Sequence, residues 1–198
     1  MTTWVFARHG QSIANAQTWM SGHTDVPLTE LGRDQARALG AAVRALRLPR
    51  VVSSDLERAY ETATLALGER TCAVRRDPRL RERDLGAWTG ITMDRLHAIG
   101  GHEALGSLDG RPPGGESLRD VALRVLAVLD ALDDGVPTMV VAHGGVLRAV
   151  LGLLDARPAV RVQKAWVPNA APHVRVVTRG SFGVLREAVR TAPYGGSP

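Results

Sequence analysis

Thr3-Trp4-Val5-Phe6-Ala7 is a short apolar, β-rich run that stops at Arg8-His9-Gly10, and Thr138-Met139-Val140-Val141-Ala142 repeats the pattern by stopping at His143-Gly144-Gly145. Apolar runs of this length read as buried strands of a parallel sheet. Each run therefore predicts a histidine carried just past the carboxyl end of a strand.

Between these runs the sequence alternates. Thr29 can cap a helix whose apolar residues Leu31, Ala36, Leu39, Val43 and Leu46 recur at helical spacing until Pro49. Val51-Val52 reads as a second strand, and Ser53-Ser54-Asp55 offers caps for a helix through Arg58, Tyr60, Thr62 and Leu65 that stops at Gly68. Glu116 to Leu132 carries Leu118, Val121, Ala122, Val125, Leu126 and Leu129 on one face, and Val146, Leu147, Val150 and Leu154 mark a further helix.

Strands alternating with helices predict a single-domain α/β three-layer sandwich, a mostly parallel central sheet with helices on both faces. Ligands of such sheets lie outside the carboxyl ends of the strands. His9 and His143 are expected to meet there, with Arg8 beside one and Arg58 approaching from a third strand end.

Residues 1–191 are expected to form one catalytic domain. Arg70 to Gly115 is less regular, with a break at Pro78 and a Gly/Pro-rich patch from Gly110 to Gly115, so 86–115 is read as a cap over the site. Val174–Val177 and Val184–Leu185 are read as a further strand pair, and residues 192–198 as a flexible tail.

Composition narrows the function classes. The 198 residues are 44% apolar, with no run long enough for a membrane span, and the first residues lack the basic and apolar regions of a secretory leader. One cysteine, Cys72, forms no internal disulfide and offers no thiol pair to zinc, so a cytoplasmic location is expected. The net charge of +5 comes almost wholly from arginines scattered among acids, with Lys164 the only lysine. No basic block interleaves with aromatics, so no nucleic acid partner is expected, although a basic surface attracts small phosphorylated anions. His23, His97, His102 and His173 lack metal-ligand spacing, and no metal or cofactor is expected. A homodimer is left open.

An imidazole that attacks phosphorus must be neutral at one nitrogen, held at the other, and surrounded by donors for the transferring oxygens. Arg8-His9-Gly10-Gln11-Ser12 with Asn15, Ser53-Ser54-Asp55-Leu56-Glu57-Arg58-Ala59, Glu82 in Leu80-Arg81-Glu82, and Ala142-His143-Gly144-Gly145 supply such a set. In that order they resemble the histidine phosphatase superfamily, in its phosphoglycerate-mutase-like branch. The similarity spans about Val5 to Gly145.

The resemblance implies that His9 becomes phosphohistidine, that Arg8, Arg58 and His143 clamp the phosphoryl oxygens, and that Glu82 is the proton donor. It implies supporting contacts from Asn15, Gln11, Ser12 and the Gly144 backbone. It also implies a metal-independent phosphomonoesterase of the histidine acid type, acting on a small phosphorylated metabolite such as a sugar phosphate or a phosphoglycerate. A cofactor-dependent phosphoglycerate mutase and a non-catalytic phosphate-binding module are the alternatives. The stretch from Glu82 to Gly90 looks like the phosphatase form. Specificity is expected from Gln17–Leu28, Trp88–Arg111 and Trp166–Pro172, although Trp19, Met20, Trp88 and Trp166 are equally readable as core.

Overall fold

The computed structural model describes residues 1–69, 72–155 and 167–192. Its elements are β1 (Thr2–Arg8), α1 (Ile13–Ala16), α2 (Glu30–Val43), β2 (Arg50–Ser53), α3 (Glu57–Leu67), β3 (Val74–Arg76), α4 (Met93–Ala98), α5 (Gly101–Leu105), α6 (Leu118–Ala131), β4 (Thr138–Ala142), α7 (Gly144–Leu154), β5 (Pro172–Val177) and α8 (Ser181–Thr191). The strands form one five-stranded sheet in the order β3-β2-β4-β1-β5, parallel except for β5.

Side chains of a strand alternate between its two faces, and the central strands are apolar on both because both are covered. Val5, Ala7, Val51, Met139 and Val141 pack with Leu39 and Val43 of α2 and Ala59 and Ala63 of α3. Trp4, Phe6, Val52, Val140 and Ala142 pack on the opposite side with Leu126 and Leu129 of α6, Leu147 and Val150 of α7, and Phe182 of α8. The result is the three-layer sandwich.

The α2–α3 pair is closely approached. A Cβ at Gly40 would come within 2.3 Å of the Ala66 carbonyl oxygen, so only glycine fits there. Thr29 caps α2 by accepting the Gly32 amide, as expected, but Leu31 points outward at 53% exposure and Leu46 lies in a 3-10 turn beyond the helix.

Ser53-Ser54-Asp55 does not cap α3. The Asp55 carboxylate is held by both nitrogens of the Arg81 fork, at 2.8 and 2.6 Å, and the first helical amide, that of Glu57, donates instead to Asp25 at 2.8 Å. A distant loop thus satisfies a donor that a local side chain was expected to take.

The irregular stretch contains more structure than expected, namely β3, α4 and α5. Val184–Leu185 is not a strand: Gly180 turns the chain with a φ of 84°, and Phe182, Leu185 and Val189 then recur at helical spacing in α8, against α6. Residues 193–198 and Trp166 lie outside the described residues. No described helix is long and apolar enough to cross a membrane.

Candidate active site

Sheet register builds the centre of the site. Arg8 pairs with Ala142 between β1 and β4, and the His9 amide donates to the Ala142 carbonyl at 2.9 Å. The histidines that follow the two strands are thereby brought side by side, with ring centroids 5.2 Å apart. On the other flank, the Ser54 amide donates to the Val141 carbonyl at 3.0 Å, so β2 ends at the same level and α3 starts beneath it.

His9 is 3% exposed, and its Nδ1 lies 2.7 Å from the Gly10 carbonyl oxygen. A carbonyl only accepts, so Nδ1 carries the hydrogen and Nε2 keeps its lone pair. Burial, then Arg58 and Arg8, hold its pKa well below the ordinary imidazole range, against a smaller opposing effect of the Gly10 bond. The ring is neutral at neutral pH, as a nucleophile requires.

His143 is fully buried and N-terminal to α7, and neither of its ring nitrogens has a hydrogen-bond partner among the described residues. Burial, then Arg58, His9 and Arg8, depress its pKa in the same way. Arg58 is 1% exposed; its Nη1 and Nη2 donate to the carbonyls of Thr24 and Gly22, both at 2.8 Å, while its Nε is left without a partner. Arg8 repeats this arrangement, with Nη1 on the Val167 carbonyl at 3.1 Å and Nε unpartnered among the described residues. Burial lowers the pKa of both guanidiniums. Buried polar atoms without partners are rare in folded proteins, and several around two histidines and two guanidiniums mark the place of an anion.

Glu82 reaches the site from the loop after β3. Both carboxylate oxygens accept the Gly145 amide at 3.1 Å, and Oε1 also accepts the Arg83 amide at 2.8 Å. Its own carbonyl is held by His23 Nε2 at 2.6 Å and by Arg124 Nη2 at 2.9 Å. His23 therefore fixes the segment that carries Glu82. Arg83 is buried and donates to the carbonyls of Leu105, Gly110 and Glu116, tying the irregular stretch to Glu82. Burial lowers the Arg83 pKa to about 10.

The supporting residues divide. Ser12 and Asn15 form a reciprocal cap on α1, with the Ser12 hydroxyl accepting the Asn15 amide and Asn15 Oδ1 accepting the Ser12 amide. Gln11 Oε1 accepts the Thr29 hydroxyl at 2.9 Å, so that side chain joins α2 to the His9 loop. A Cβ at Gly144 would meet Arg8 and Arg148 only at ordinary contact distance, leaving its face open. The glycine with no room is Gly145, where a Cβ would lie 2.3 Å from Glu82 Oε1.

Sequence reasoning also missed Thr62 and Asn169. Thr62 Oγ1 accepts the Gly10 amide at 2.9 Å and donates to the Arg58 carbonyl at 2.6 Å, linking the two motifs. Asn169 Nδ2 donates to the His9 carbonyl at 2.8 Å and to Asn15 Oδ1 at 3.3 Å. Thr62 looked like one more residue of a helix face, and Asn169 follows a stretch with no periodicity. Among the three tryptophan and methionine candidates in the described loops, Trp19, Met20 and Trp88 are all half-buried.

The chain is 38% identical over 184 residues, 87% of this chain and 84% of the relative, to a 2,3-bisphosphoglycerate-dependent phosphoglycerate mutase 2 of Gloeobacter violaceus. Among solved structures it is similar to a mycobacterial glucosyl-3-phosphoglycerate phosphatase in complex with VO3, with a TM-score of 0.79 and 35% identity over 88% of this chain and 90% of that one. It is also similar to a phosphoserine phosphatase of Entamoeba histolytica in complex with 3-phosphoglyceric acid, with a TM-score of 0.77 and 26% identity over 89% and 91% of the two chains. Residues 4–189 match the histidine phosphatase superfamily (branch 1), and with its paired histidines set at adjacent strand ends the chain belongs to that superfamily.

Proposed function

We propose that the protein is a phosphomonoester hydrolase that works through a phosphohistidine at His9 on a small phosphorylated metabolite, without a metal ion. One observation carries this reading: His9 is buried and neutral, with Nδ1 bound to Gly10 and Nε2 free beside His143 and the unpartnered nitrogens of Arg8 and Arg58.

Two guanidiniums balance a phosphate dianion and stay fixed by backbone carbonyls, so little reorganisation is needed as charge spreads over the transferring oxygens. His9 Nε2 attacks phosphorus and the ester P–O bond breaks. The leaving oxygen takes a proton from the Glu82 carboxyl. Water then attacks the phosphohistidine, Glu82 takes its proton, and the P–N bond breaks to release phosphate. Asn15 and the Gly144 backbone add contacts to the phosphoryl group. The stretch 86–115, tied down through Arg83, serves as the cap from which the leaving group is recognised.

Phosphoglycerate mutase is the second reading, favoured by the names of sequence relatives such as that of Gloeobacter violaceus. The chemistry differs only in whether water or a hydroxyl of a retained substrate accepts the phosphoryl group. The deciding experiment treats the protein with chelator and measures phosphate release from p-nitrophenyl phosphate and a panel of sugar, glycerate and nucleotide phosphates, beside His9→Ala. Release that survives chelation and disappears in His9→Ala supports the hydrolase. Isomerisation without release supports the mutase, and loss of all turnover on chelation removes the metal-free mechanism.

A further inference from the structure

Arg148 lies one helical turn after Gly144 in α7, half-buried, and its side chain runs back toward the start of the helix. A Cβ built on Gly144 would lie 3.5 Å from Arg148 Nη1 and 3.6 Å from both Cζ and Nε of Arg8, so the two guanidiniums flank one open glycine face. The arrangement is unfavourable by itself. Like charges adjoin, and both stand at the positive end of a helix dipole. Arg148 has no hydrogen bond or ion pair among the described residues, whereas Arg33, Arg50, Arg79, Arg81, Arg119 and Arg124 all hold carboxylates.

The charge count of the site gives this guanidinium a task. Arg8 and Arg58 match a phosphate monoester dianion, His9 and His143 are neutral, and Arg83 is used by three carbonyls. Among the described residues of the site, Arg148 is the cation left over. It meets Arg8 at the Gly144 face, while Glu82 and Arg83 meet the next residue, Gly145, so it stands close to both the phosphate clamp and the group that protonates the leaving oxygen. We propose that Arg148 is a specificity-determining residue that binds a second anionic group of the substrate, a carboxylate on the leaving-group side, and so selects phosphomonoesters that carry one. The assignment rests on the phosphomonoesterase reading of the same site. Guanidinium is suited to it, because its planar fork meets a carboxylate through two parallel hydrogen bonds.

3-Phosphoglycerate and glycerol 3-phosphate test this directly, since they differ only in a carboxylate against a hydroxymethyl group. In Arg148→Gln, kcat/KM for 3-phosphoglycerate is expected to fall about 10- to 100-fold, mostly through KM, while that for glycerol 3-phosphate changes less than about threefold. Arg148→Lys is expected to recover part of the loss, because it keeps the charge without the fork. An equal loss on both esters, or no loss on 3-phosphoglycerate, overturns the assignment. Should the wild-type protein turn over neither ester, the phosphatase reading fails for these compounds, and the comparison moves to binding. Titration calorimetry of His9→Ala, with and without Arg148→Gln, then reads Kd for the same pair. Weakening confined to 3-phosphoglycerate upholds Arg148 even in that case, and unchanged binding removes it.

Discussion

The Glu82 carboxylate straddles the Gly145 amide, which lies 3.1 Å from each of its oxygens, and a single methyl group at Gly145 would lie 2.3 Å from Oε1. Glu82 and the turn after His143 therefore fit together only because position 145 has no side chain. Gly145→Ala is expected to push Glu82 aside while leaving His9, Arg8 and Arg58 in place. With p-nitrophenyl phosphate, whose leaving group needs little protonation, a rapid burst of nitrophenolate should persist while steady turnover slows about 100-fold, as water loses its base. Stopped-flow absorbance checks this, and loss of the burst in proportion to turnover would show that Gly145 acts on something other than Glu82.

The two buried histidines make stability depend on pH. Their folded pKa values lie well below the unfolded value of about 6.5, so between those limits the unfolded chain binds protons that the folded chain does not. Stability is then fully present above about pH 6.5 and is lost as pH falls toward the folded values. Each histidine contributes a slope of up to about 1.4 kcal/mol per pH unit. Urea titrations between pH 7 and 5 should show this decline, and His143→Gln should remove about one proton's share of it. An unchanged slope in His143→Gln would mean that other groups set the dependence.

Thr62 joins the His9 loop to the helix of Arg58. Thr62→Val keeps the shape of the side chain but leaves the Gly10 amide buried without an acceptor, at a cost of about 1–3 kcal/mol. Urea unfolding at pH 7.5 measures the loss. A variant as stable as the parent would mean that Gly10 finds another acceptor.

Arg83 is the tie between the Glu82 loop and residues 105–116. Arg83→Met should leave the carbonyls of Leu105, Gly110 and Glu116 without this donor, and cleavage in that stretch by a protease should accelerate on the order of tenfold while the sheet stays folded. Mass mapping of the first cleavage product locates the opening. First cleavage elsewhere would show that α4 and α5 are held by other contacts.

The sequence by itself determined the layered fold and the strand ends at which Arg8, His9 and His143 stand. Periods of apolar residues are local, and a fully apolar strand reports burial on both faces without knowledge of what covers it, so β1, β4, α6 and the positions of His9 and His143 were legible. Family resemblance supplied Glu82, which no local pattern singles out from its charged neighbours. Only the tertiary structure decided that Asp25 caps α3, that Val184 and Leu185 belong to a helix, that Gly145 and not Gly144 is the glycine without room, and that Thr62, His23 and Asn169 hold the segments that carry His9, Arg58 and Glu82. Each of these is a contact across 32 or more residues, or a choice between helix and strand for a short apolar pair. Such contacts depend on which chain ends the sheet register brings to one level, and no property of either partner alone reveals them.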